Sequence, residues 1–295
     1  MKILVTGAAG LLSRHLVPLL ATHPNVKKLI LTDIVNIGVE TLDGLNEYDI
    51  VFEKLDICNP TRVMSLFYQY HPDLVLHLAA YTNVYRPEVD QAEWAKCYRI
   101  NALATYALVQ AYLAAQSVDK FSGDLVYIST DYVFDGFKSG GYYTETDTPH
   151  PLNCYGLSKL LGEAAVATLG MGGFVIRTSF KPRPFKHPVA PADMFTSAGY
   201  VDEIASQIAL CVVNFSDVFG VITDWQFESS DIDLYPYTLH VARPEKRTAF
   251  KLAQETNPNV NPIELAGIGG VQLPQDASLD TSRWQKIKQE LGLPL

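Results

Sequence analysis

The stretch ILVTGAAGLLSRHLVPLL, residues 3–20, decides the fold of this 295-residue chain. An aliphatic, β-branched run ends at Gly7, and a helical pattern begins after Gly10. Glycines between a strand and a helix allow a tight turn and let backbone amides approach an anion at the helix N-terminus. The stretch therefore predicts a phosphate-binding turn, with Gly7, Gly10, Leu11 and Leu12 at a pyrophosphate. An ordinary glycine-rich turn is the alternative.

Apolar runs of strand length repeat along the chain and alternate with helix-length segments. After the first run they are KLILTD, IVFEKLD, LVLHLAA, GDLVYIST, FVIRTS and FGVITD. Nearly continuous apolar strands separated by helices are typical of a parallel sheet that is covered on both faces. We therefore predict an α/β fold, a Rossmann-type doubly wound parallel sheet with a small C-terminal substrate-binding region.

The second predicted strand ends in Asp33, where an acid accepts hydrogen bonds from the adenosine ribose of a dinucleotide. Its carboxylate would repel a 2′-phosphate, and no Arg or Lys follows in DIVNIG. Asp33 and Ile34 are therefore predicted at the adenosine, with NAD(H) favoured as the cofactor and NADP(H) left open. The alternative role of Asp33 is a turn cap.

The pattern of the chain changes after residue 178. Residues 1–178 are predicted to form the NAD(P)-binding Rossmann domain, to which 199–227 return with a helix at 201–213. The prolines of KPRPFKHPVAPAD forbid a helix. Segments 179–198 and 228–295 are therefore assigned to the small substrate-binding region, whose last helix begins near Thr281 or Ser282 and ends before Gly292.

The composition limits the classes of partner. The formal charge of −9 argues against a nucleic acid, because phosphate binding needs a basic face. The N-terminus enters a strand too early for a signal peptide, and no uncharged stretch is long enough to cross a membrane. Four cysteines without CxxC spacing predict reduced thiols and the cytoplasm, and the histidines show no metal-ligand spacing.

Tyr155 and Lys159 are four residues apart in NCYGLSKLLGE, so a helix places them on one face. A phenol with a pKa of about 10 is a poor acid or base at neutral pH. An ammonium about 4 Å away would favour phenolate by up to about 4 kcal/mol at an effective dielectric constant of about 20. The alternative is a surface tyrosine and a solvated lysine.

Polar residues follow the fifth predicted strand in STDYVFDG, residues 129–136. Because ligands bind at the carboxyl ends of the strands in such sheets, Thr130 is expected at the rim where the helix with Tyr155 and Lys159 begins. A hydroxyl that polarises a carbonyl and a phenol that supplies a proton would form a carbonyl-reducing site beside a nicotinamide.

With LHLAAYTNV and YTETDTPHPLNCYGLSKLLGE, these motifs resemble the extended short-chain dehydrogenase/reductase superfamily and, within it, the dTDP-4-dehydrorhamnose reductase family. The resemblance covers most of the first 180 residues and returns in SAGYVDEIA and SLDTSRW. It implies that Thr130 is the catalytic hydroxyl, that Tyr155 is the general acid, and that Lys159 holds the nicotinamide ribose. The further contacts it implies are Asp56 and Ile57 at the adenine, Leu78, Ala79, Ala80 and Tyr81 along the dinucleotide, Asn101 ordering the site, and Thr82 and Asp131 at the substrate.

The chain departs from the family pattern at three places, of which the short segment bears most on the substrate. Ser13 stands where a third glycine is usual, Tyr85 where an acid is usual, and the segment after RTSF is short. That segment still carries Lys181 and Arg183, with Lys186 and His187 nearby. We expect Lys181 and Arg183 to meet the diphosphate of a nucleotide-sugar substrate, and a solvated basic loop is the alternative.

The sequence therefore predicts an NAD(P)H-dependent reductase of a nucleotide-linked 4-keto-6-deoxysugar, and leaves a homodimer open. One alternative is a sugar-nucleotide epimerase or dehydratase; dehydratases usually carry Asp then Glu after the catalytic hydroxyl, whereas Thr130 precedes Asp131 and Tyr132. Another is a non-catalytic dinucleotide-binding regulatory subunit. Cys154 and His77 are interpreted as core residues, and Arg177 as either a site residue or an ion-pair partner.

Overall fold

A computed structural model describes residues 1–119, 123–228 and 237–294. Its strands, in chain order, are β1 (Lys2–Thr6), β2 (Lys28–Asp33), β3 (Ile50–Lys54), β4 (Leu74–His77), β5 (Asp124–Thr130), β6 (Gly173–Thr178), β7 (Phe180–Lys181), β8 (Val189–Pro191), β9 (Phe195–Thr196), β10 (Gly199–Tyr200), β11 (Thr238–Val241), β12 (Arg247–Thr248) and β13 (Asn261–Ile263).

The helices lie between these strands. In chain order they are α1 (Leu11–Ala21), α2 (Val39–Leu42), α3 (Pro60–Tyr70), α4 (Arg86–Val89), α5 (Gln91–Tyr98), α6 (Ala104–Asp119), α7 (Cys154–Ala167), α8 (Val201–Val213), α9 (Phe215–Glu228), α10 (Ala249–Gln254) and α11 (Ser282–Glu290). A π-helical segment, Arg99–Leu103, joins α5 to α6, and a 3₁₀ turn, Asp131–Val133, follows β5.

Seven parallel strands form the main sheet in the order β11-β6-β5-β4-β1-β2-β3. The chain runs outward from β1 to β3 and then crosses back to β4, so the order reverses between β1 and β4. A crevice opens at the carboxyl ends of the strands at such a reversal. The predicted Rossmann-type fold is confirmed.

Both faces of this sheet are buried, which explains the continuous apolar runs. Ile3 and Val5 of β1 pack in a core with α1 and α8, whereas Leu4 packs in the opposite core with α3 and α6. Successive side chains of a strand point to opposite faces, so one strand supplies both cores. The helix predicted at 201–213 is α8.

The strand predicted at FGVITD is wrong, because these residues lie inside α9. Phe215, Val218, Phe219 and Ile222 are all buried, and their spacing of three and four residues is that of a helix. Phe215 and Phe219 pack on Phe174 of β6, with ring centroids 5.0 and 3.9 Å away. The β-branched residues within this run concealed the longer helical period.

The seventh strand is instead β11, which lies in the segment that the sequence assigns to the substrate-binding region. Its four residues are buried, and it pairs with β6 from Thr238 opposite Val175 to Val241 opposite Thr178. Trp284 and Ile287 of α11 also belong to the core beside α1 and α8. The predicted division at residue 228 therefore differs from the structure, and residues 229–236 lie outside the described ranges.

The rest of the small region is built from short strand pairs. Segment 179–198 supplies β7, β8 and β9, which pair with β10, β13 and β12. Phe185, Ala190, Ala253 and Val260 form a small core of their own. The proline-rich segment 179–198 is thus held by strand pairs of two or three residues rather than by a long strand.

Two further features concern the cysteines and the apolar helices. All four cysteines are free. Within the described ranges, no single helix has the length and apolar character needed to cross a membrane; the bent pair of residues 201–213 and 215–222, at 83°, meets the criterion only when joined. Buried core helices of folded domains meet it as well.

Gly7 and Gly44 form a matched pair that tests the glycine turn. Both have a left-handed φ, +73° and +71°, but a Cβ on Gly7 would lie 2.6 Å from the Ala79 nitrogen, whereas a Cβ on Gly44 would meet no atom within 4 Å. Gly44→Ala is expected to lower the free energy of unfolding by about 1–2 kcal/mol, the cost of this φ alone. Gly7→Ala should cost at least about 1 kcal/mol more. Urea denaturation measures both, and equal losses would contradict the close approach.

Candidate active site

A cavity of about 590 Å³ lies at the carboxyl ends of the sheet strands. It contains most of the residues that the sequence predicts for cofactor and substrate. Those that line it are Gly7, Gly10, Leu11, Leu12, Asp33, Ile34, Asp56, Ile57, Leu78, Ala79, Ala80, Thr82, Thr130, Asp131, Tyr155, Lys159 and Lys181. Tyr81, Asn101 and Arg183 are not among the lining residues.

The glycine turn is closed by its own hydrogen bonds. The Gly10 amide donates to the Gly7 carbonyl at 3.0 Å, and the Ser13 hydroxyl donates to the same carbonyl at 2.7 Å. Ser13 is fully buried at the position of the usual third glycine. Its hydroxyl is therefore accommodated as an additional brace of the turn.

Asp33 joins the glycine turn to the end of β2. The Ala9 amide donates to Asp33 Oδ2 at 2.9 Å, and the Val35 amide donates to Asp33 Oδ1 at 3.1 Å. The capping role that the sequence left open is thus present in the structure. The carboxylate also lines the cavity, where it can accept from a ribose hydroxyl.

Asn101 orders the site from behind rather than lining it. Its side chain accepts from the Tyr81 amide at 2.7 Å and donates to the Tyr81 carbonyl and the Ser158 hydroxyl, both at 2.9 Å. The residue lies in the π-helical segment, a distortion frequent at functional sites. Asn101 thus fixes the loop after β4 to α7. The Tyr81 hydroxyl, in turn, donates to Glu93 of α5.

Thr130 and Tyr155 converge at the end of β5. The Thr130 hydroxyl donates to Asp131 Oδ1 at 3.0 Å and accepts from the Tyr132 amide at 3.2 Å. Both Thr130 and Tyr155 line the cavity, and Thr130 is near enough to the phenol to act on its pKa. A Cβ on Gly156 would lie 2.1 Å from the Tyr132 carbonyl oxygen. Glycine at 156 therefore lets α7 approach the strand end closely, with Tyr155 in the same cavity as Thr130.

The phenol of Tyr155 is held in its protonated form. Burial, and then the negative charge of Asp131, raise its pKa above the ordinary value, and the nearby Thr130 hydroxyl opposes this shift. Burial also raises the pKa of Asp131, against a hydrogen bond from Ser179 and the charge of Lys181. At neutral pH the site therefore presents a proton donor.

Lys159 is buried and directed toward β5. Its Nζ donates to the Ile128 carbonyl at 2.7 Å and lies 4.0 Å from the centre of the Tyr127 ring. Burial lowers its pKa to about 7, against the charge of Glu163. The predicted lowering of the phenol pKa by this ammonium is wrong for this structure, because the carbonyl and the ring hold Lys159 and burial dominates at Tyr155.

The cations of the proline-rich segment separate into two roles. Lys181 lines the cavity and its charge acts on Asp131. Arg183 binds Asp202 at 3.0 Å and Glu203 at 2.5 Å, and its guanidinium lies 4.2 Å from the centre of the Tyr200 ring. The predicted substrate contact of Arg183 is thus replaced by ion pairs with α8. Lys186 and His187 do not line the cavity either.

Arg177, for which the sequence left two roles open, and His77, predicted as a core residue, both have structural roles. Arg177 is fully buried and pairs with Glu163 of α7 at 2.7 Å. His77 is buried between Thr6 and Thr105, at 2.6 and 3.0 Å from their hydroxyls, and burial lowers its pKa to about 3. Both therefore stabilise the sheet beneath the cavity. Cys154 is only partly buried, and its amide donates to Glu88 at 2.5 Å.

Sequence reasoning missed several lining residues. Ser129 and Tyr132 lie in STDYVFDG, the stretch expected at this rim, but neither was assigned a role, and Ser179 lies two residues before Lys181. Lys96 and Arg99 lie on a helix far from any quoted motif, and only the topology of the fold brings them to the cavity. The remaining lining residues the prediction missed are Ser13, Leu55, Cys58, Val84, Ile100, Ile128, Thr178 and Phe180.

The cavity fits a dinucleotide. The backbone of Gly7 lies so close to Ala79 that any side chain would disturb the phosphate-binding turn. Ser129 Oγ and Thr178 Oγ1 are buried at the cavity and have no hydrogen-bond partner among the described residues. Buried hydroxyls without partners are costly, so a polar ligand group is expected to satisfy them.

Comparison with known proteins identifies the family of the chain. Residues 1–181 match the family described as RmlD substrate binding domain, which is more than half of the chain. The chain belongs to this family. The predicted relationship to the dTDP-4-dehydrorhamnose reductases is confirmed.

Three relatives illustrate the match. A dTDP-4-dehydrorhamnose reductase of Aggregatibacter actinomycetemcomitans is 34% identical over 179 residues, 61% of this chain and about half, 51%, of the relative's own length. A protein of Mus musculus named methionine adenosyltransferase 2 subunit beta is 26% identical over 97% of this chain and 82% of its own. The crystal structure of a dTDP-4-dehydrorhamnose reductase from Bacillus anthracis in complex with NADP superimposes with a TM-score of 0.66 at 25% identity, covering 99% of this chain and 93% of that one.

The lowered pKa of Lys159 predicts how stability depends on pH. Its folded-state pKa of about 7 lies below the ordinary value of 10.5, so between these values the unfolded chain binds more protons and the free energy of unfolding rises with pH. In Lys159→Met the rise between pH 7 and pH 9 should be about 2 kcal/mol smaller than in the wild type. Urea denaturation across that range measures it. The exposed-lysine control Lys186→Met should follow the wild type, and parallel curves for all three proteins would contradict the buried position.

Proposed function

We propose that this protein is an NAD(P)H-dependent reductase that acts on the 4-keto group of a nucleotide-linked 6-deoxysugar. The observation that carries the proposal is the convergence of Thr130, Tyr155 and Lys159 in the cavity that also contains the glycine turn. These are the residue types that carbonyl reduction beside a dinucleotide requires. Two relatives of this chain are named dTDP-4-dehydrorhamnose reductase, and that name describes the reduction of a nucleotide-linked keto-sugar.

Thr130 and Tyr155 have different roles in the proposed reaction. The dinucleotide, when bound, supplies hydride to the carbonyl carbon of the sugar. Thr130 donates a hydrogen bond to the carbonyl oxygen and exchanges its present acceptor, Asp131 Oδ1, for that oxygen. Tyr155 is protonated and transfers its proton to the same oxygen as the negative charge develops there.

The substrate side of the cavity carries both charge signs. Lys181 extends from β7 into the cavity beside the buried Asp131. An ammonium at this place is suited to a substrate diphosphate, and the Asp131 carboxyl to a sugar hydroxyl. Thr82 lines the same cavity from the loop after β4. We infer a nucleotide-sugar as the class of substrate.

Replacement of the proton donor tests the proposal. Tyr155→Phe should lower kcat for NADH- or NADPH-dependent reduction of a 4-keto-6-deoxysugar nucleotide by at least about 100-fold, the usual loss when a general acid is removed. Dinucleotide affinity, followed by nicotinamide fluorescence, should change less than about threefold. Tyr98→Phe on α5, outside the cavity, is the matched control and should retain wild-type turnover. Retained turnover in Tyr155→Phe would refute the assignment.

The preference between the two dinucleotides depends on Asp33. The relative from Bacillus anthracis binds NADP, whereas Asp33 of this chain places a carboxylate at the adenosine side of the cavity. We infer that NAD(H) is favoured and NADP(H) accepted, because the two amide hydrogen bonds to Asp33 partly offset its charge.

Removal of the Asp33 charge tests this preference. Asp33→Asn should shift the ratio of kcat/KM for NADH to that for NADPH toward NADPH by about fivefold or more, because a charged repulsion is lost. Asp217→Asn, an exposed acid on α9, is the control of equal charge change. An unchanged ratio in Asp33→Asn would show that this carboxylate does not select the cofactor.

A second candidate is a non-catalytic dinucleotide-binding regulatory subunit. It is favoured by the likeness to methionine adenosyltransferase 2 subunit beta, which extends over 97% of this chain. Dinucleotide binding without turnover of any keto-sugar nucleotide would support it. An epimerase or dehydratase, which recycles its cofactor, would convert the sugar without net consumption of NAD(P)H.

A further inference from the structure

Two cations of the cavity have no role in the chemistry described above. Lys96 lies in the last turn of α5 and Arg99 at the start of the π-helical segment, three residues further on. Residues three apart on a helix are neighbours on its surface. Both line the cavity and both are solvent-exposed. Together they form a short cationic strip, here named the α5 rim.

The two cations of the α5 rim form no ion pair within the described part of the chain. In the described part of the chain, neither side chain has a carboxylate oxygen within 4.0 Å or donates a hydrogen bond. Lys96 Nζ lies 5.8 Å from the centre of the Tyr81 ring. By contrast, Lys159 is bound to the Ile128 carbonyl, and Lys181 acts on Asp131. The rim thus retains its positive charge for a ligand.

The rim lies on the other side of the crevice from the glycine turn. The turn leads into α1, which packs in one core of the sheet, whereas the segment that follows the rim continues into α6, which packs in the opposite core. Arg99 is close enough to Cys58, beside the predicted adenine site, to oppose the effect of burial and Asp56 on the thiol pKa. The rim therefore faces the adenosine half of the cavity.

The acids on this half of the cavity are already engaged. Asp33 accepts from the Ala9 and Val35 amides, and Asp56 Oδ1 accepts from the Cys58 amide at 2.8 Å. The chain as a whole carries a charge of −9, which repels polyphosphates. A local source of positive charge is needed if such a ligand is to bind tightly.

We propose that Lys96 and Arg99 form a second phosphate-binding wall of the cavity, which attracts and holds the phosphates of the dinucleotide from the side opposite the glycine turn. The inference rests on the proposed function for its ligand, and it concerns binding only. It predicts a charge-dependent affinity: NADPH, with an additional phosphate, should depend on the rim more than NADH, and both more than uncharged adenosine.

The test compares two double variants that remove the same charge. Lys96→Gln/Arg99→Gln should raise the Kd of NADPH about fivefold or more, and the Kd of NADH less, as expected when exposed charge pairs are lost. Lys186→Gln/Lys251→Gln, two exposed lysines outside the cavity, is the matched control and should stay within twofold of the wild type. Fluorescence titration of each dinucleotide at 50 and 300 mM NaCl gives the Kd values. The rim variant should also lose most of the salt dependence.

Additional variants and ligands distinguish an effect of charge from other effects. Lys96→Arg/Arg99→Lys should restore affinity to within twofold if charge is what matters, and the Kd of adenosine should be unaffected in every variant. A change below twofold for NADPH in the rim variant, or an equal loss in the control, would overturn the proposal. Wild-type protein that binds dinucleotides but reduces no keto-sugar would refute the proposed reductase while the α5 rim is still supported.

Discussion

The close approach of α7 to the end of β5 is the constraint on which the site depends. A side chain at position 156 would overlap the Tyr132 carbonyl oxygen, so only glycine permits this approach. The same helix is fixed further along by the buried pair of Glu163 and Arg177, which ties it to β6 at 2.7 Å. Removing one partner of such a pair leaves an uncompensated buried charge, at a cost of about 3–5 kcal/mol. Thr130 and Tyr155 line the same cavity because these two contacts fix the helix.

The electrostatics of the site are suited to giving a proton rather than taking one. Burial and the nearby Asp131 keep Tyr155 protonated, and Lys159 is held away by the Ile128 carbonyl. Reduction of a carbonyl needs a proton donor at the oxygen, whereas oxidation of an alcohol needs a base there. The arrangement of charges therefore agrees with the direction of the proposed reaction. The substrate oxygen is expected to accept the Tyr155 proton as it gains negative charge.

Much of the fold and site could be predicted because it follows local rules. Spacing along one or two elements is enough to predict three features: the glycine turn, Asp33 at the end of β2, and the pair Tyr155 and Lys159. The predictions were wrong where tertiary contacts determine the structure. FGVITD is helical, and its Phe219 packs on Phe174 of β6. Arg183 forms ion pairs with acids of α8 rather than lining the cavity. The approach of α5 to the cavity, which brings Arg99 there, depends on the whole sheet, so no local pattern could reveal it.

In the proposed reaction, hydride passes from a dinucleotide to a sugar carbonyl at Thr130 and Tyr155. Reaction of a 4-keto-6-deoxysugar nucleotide with NADH or NADPH deuterated at C4 of the nicotinamide, followed by NMR and mass spectrometry of the product, measures this directly. With the transferred position labelled, one deuterium is expected at C4 of the sugar, with one cofactor oxidised per product formed. A product without label from either deuterated face, or no consumption of the cofactor with any such sugar, would contradict the account.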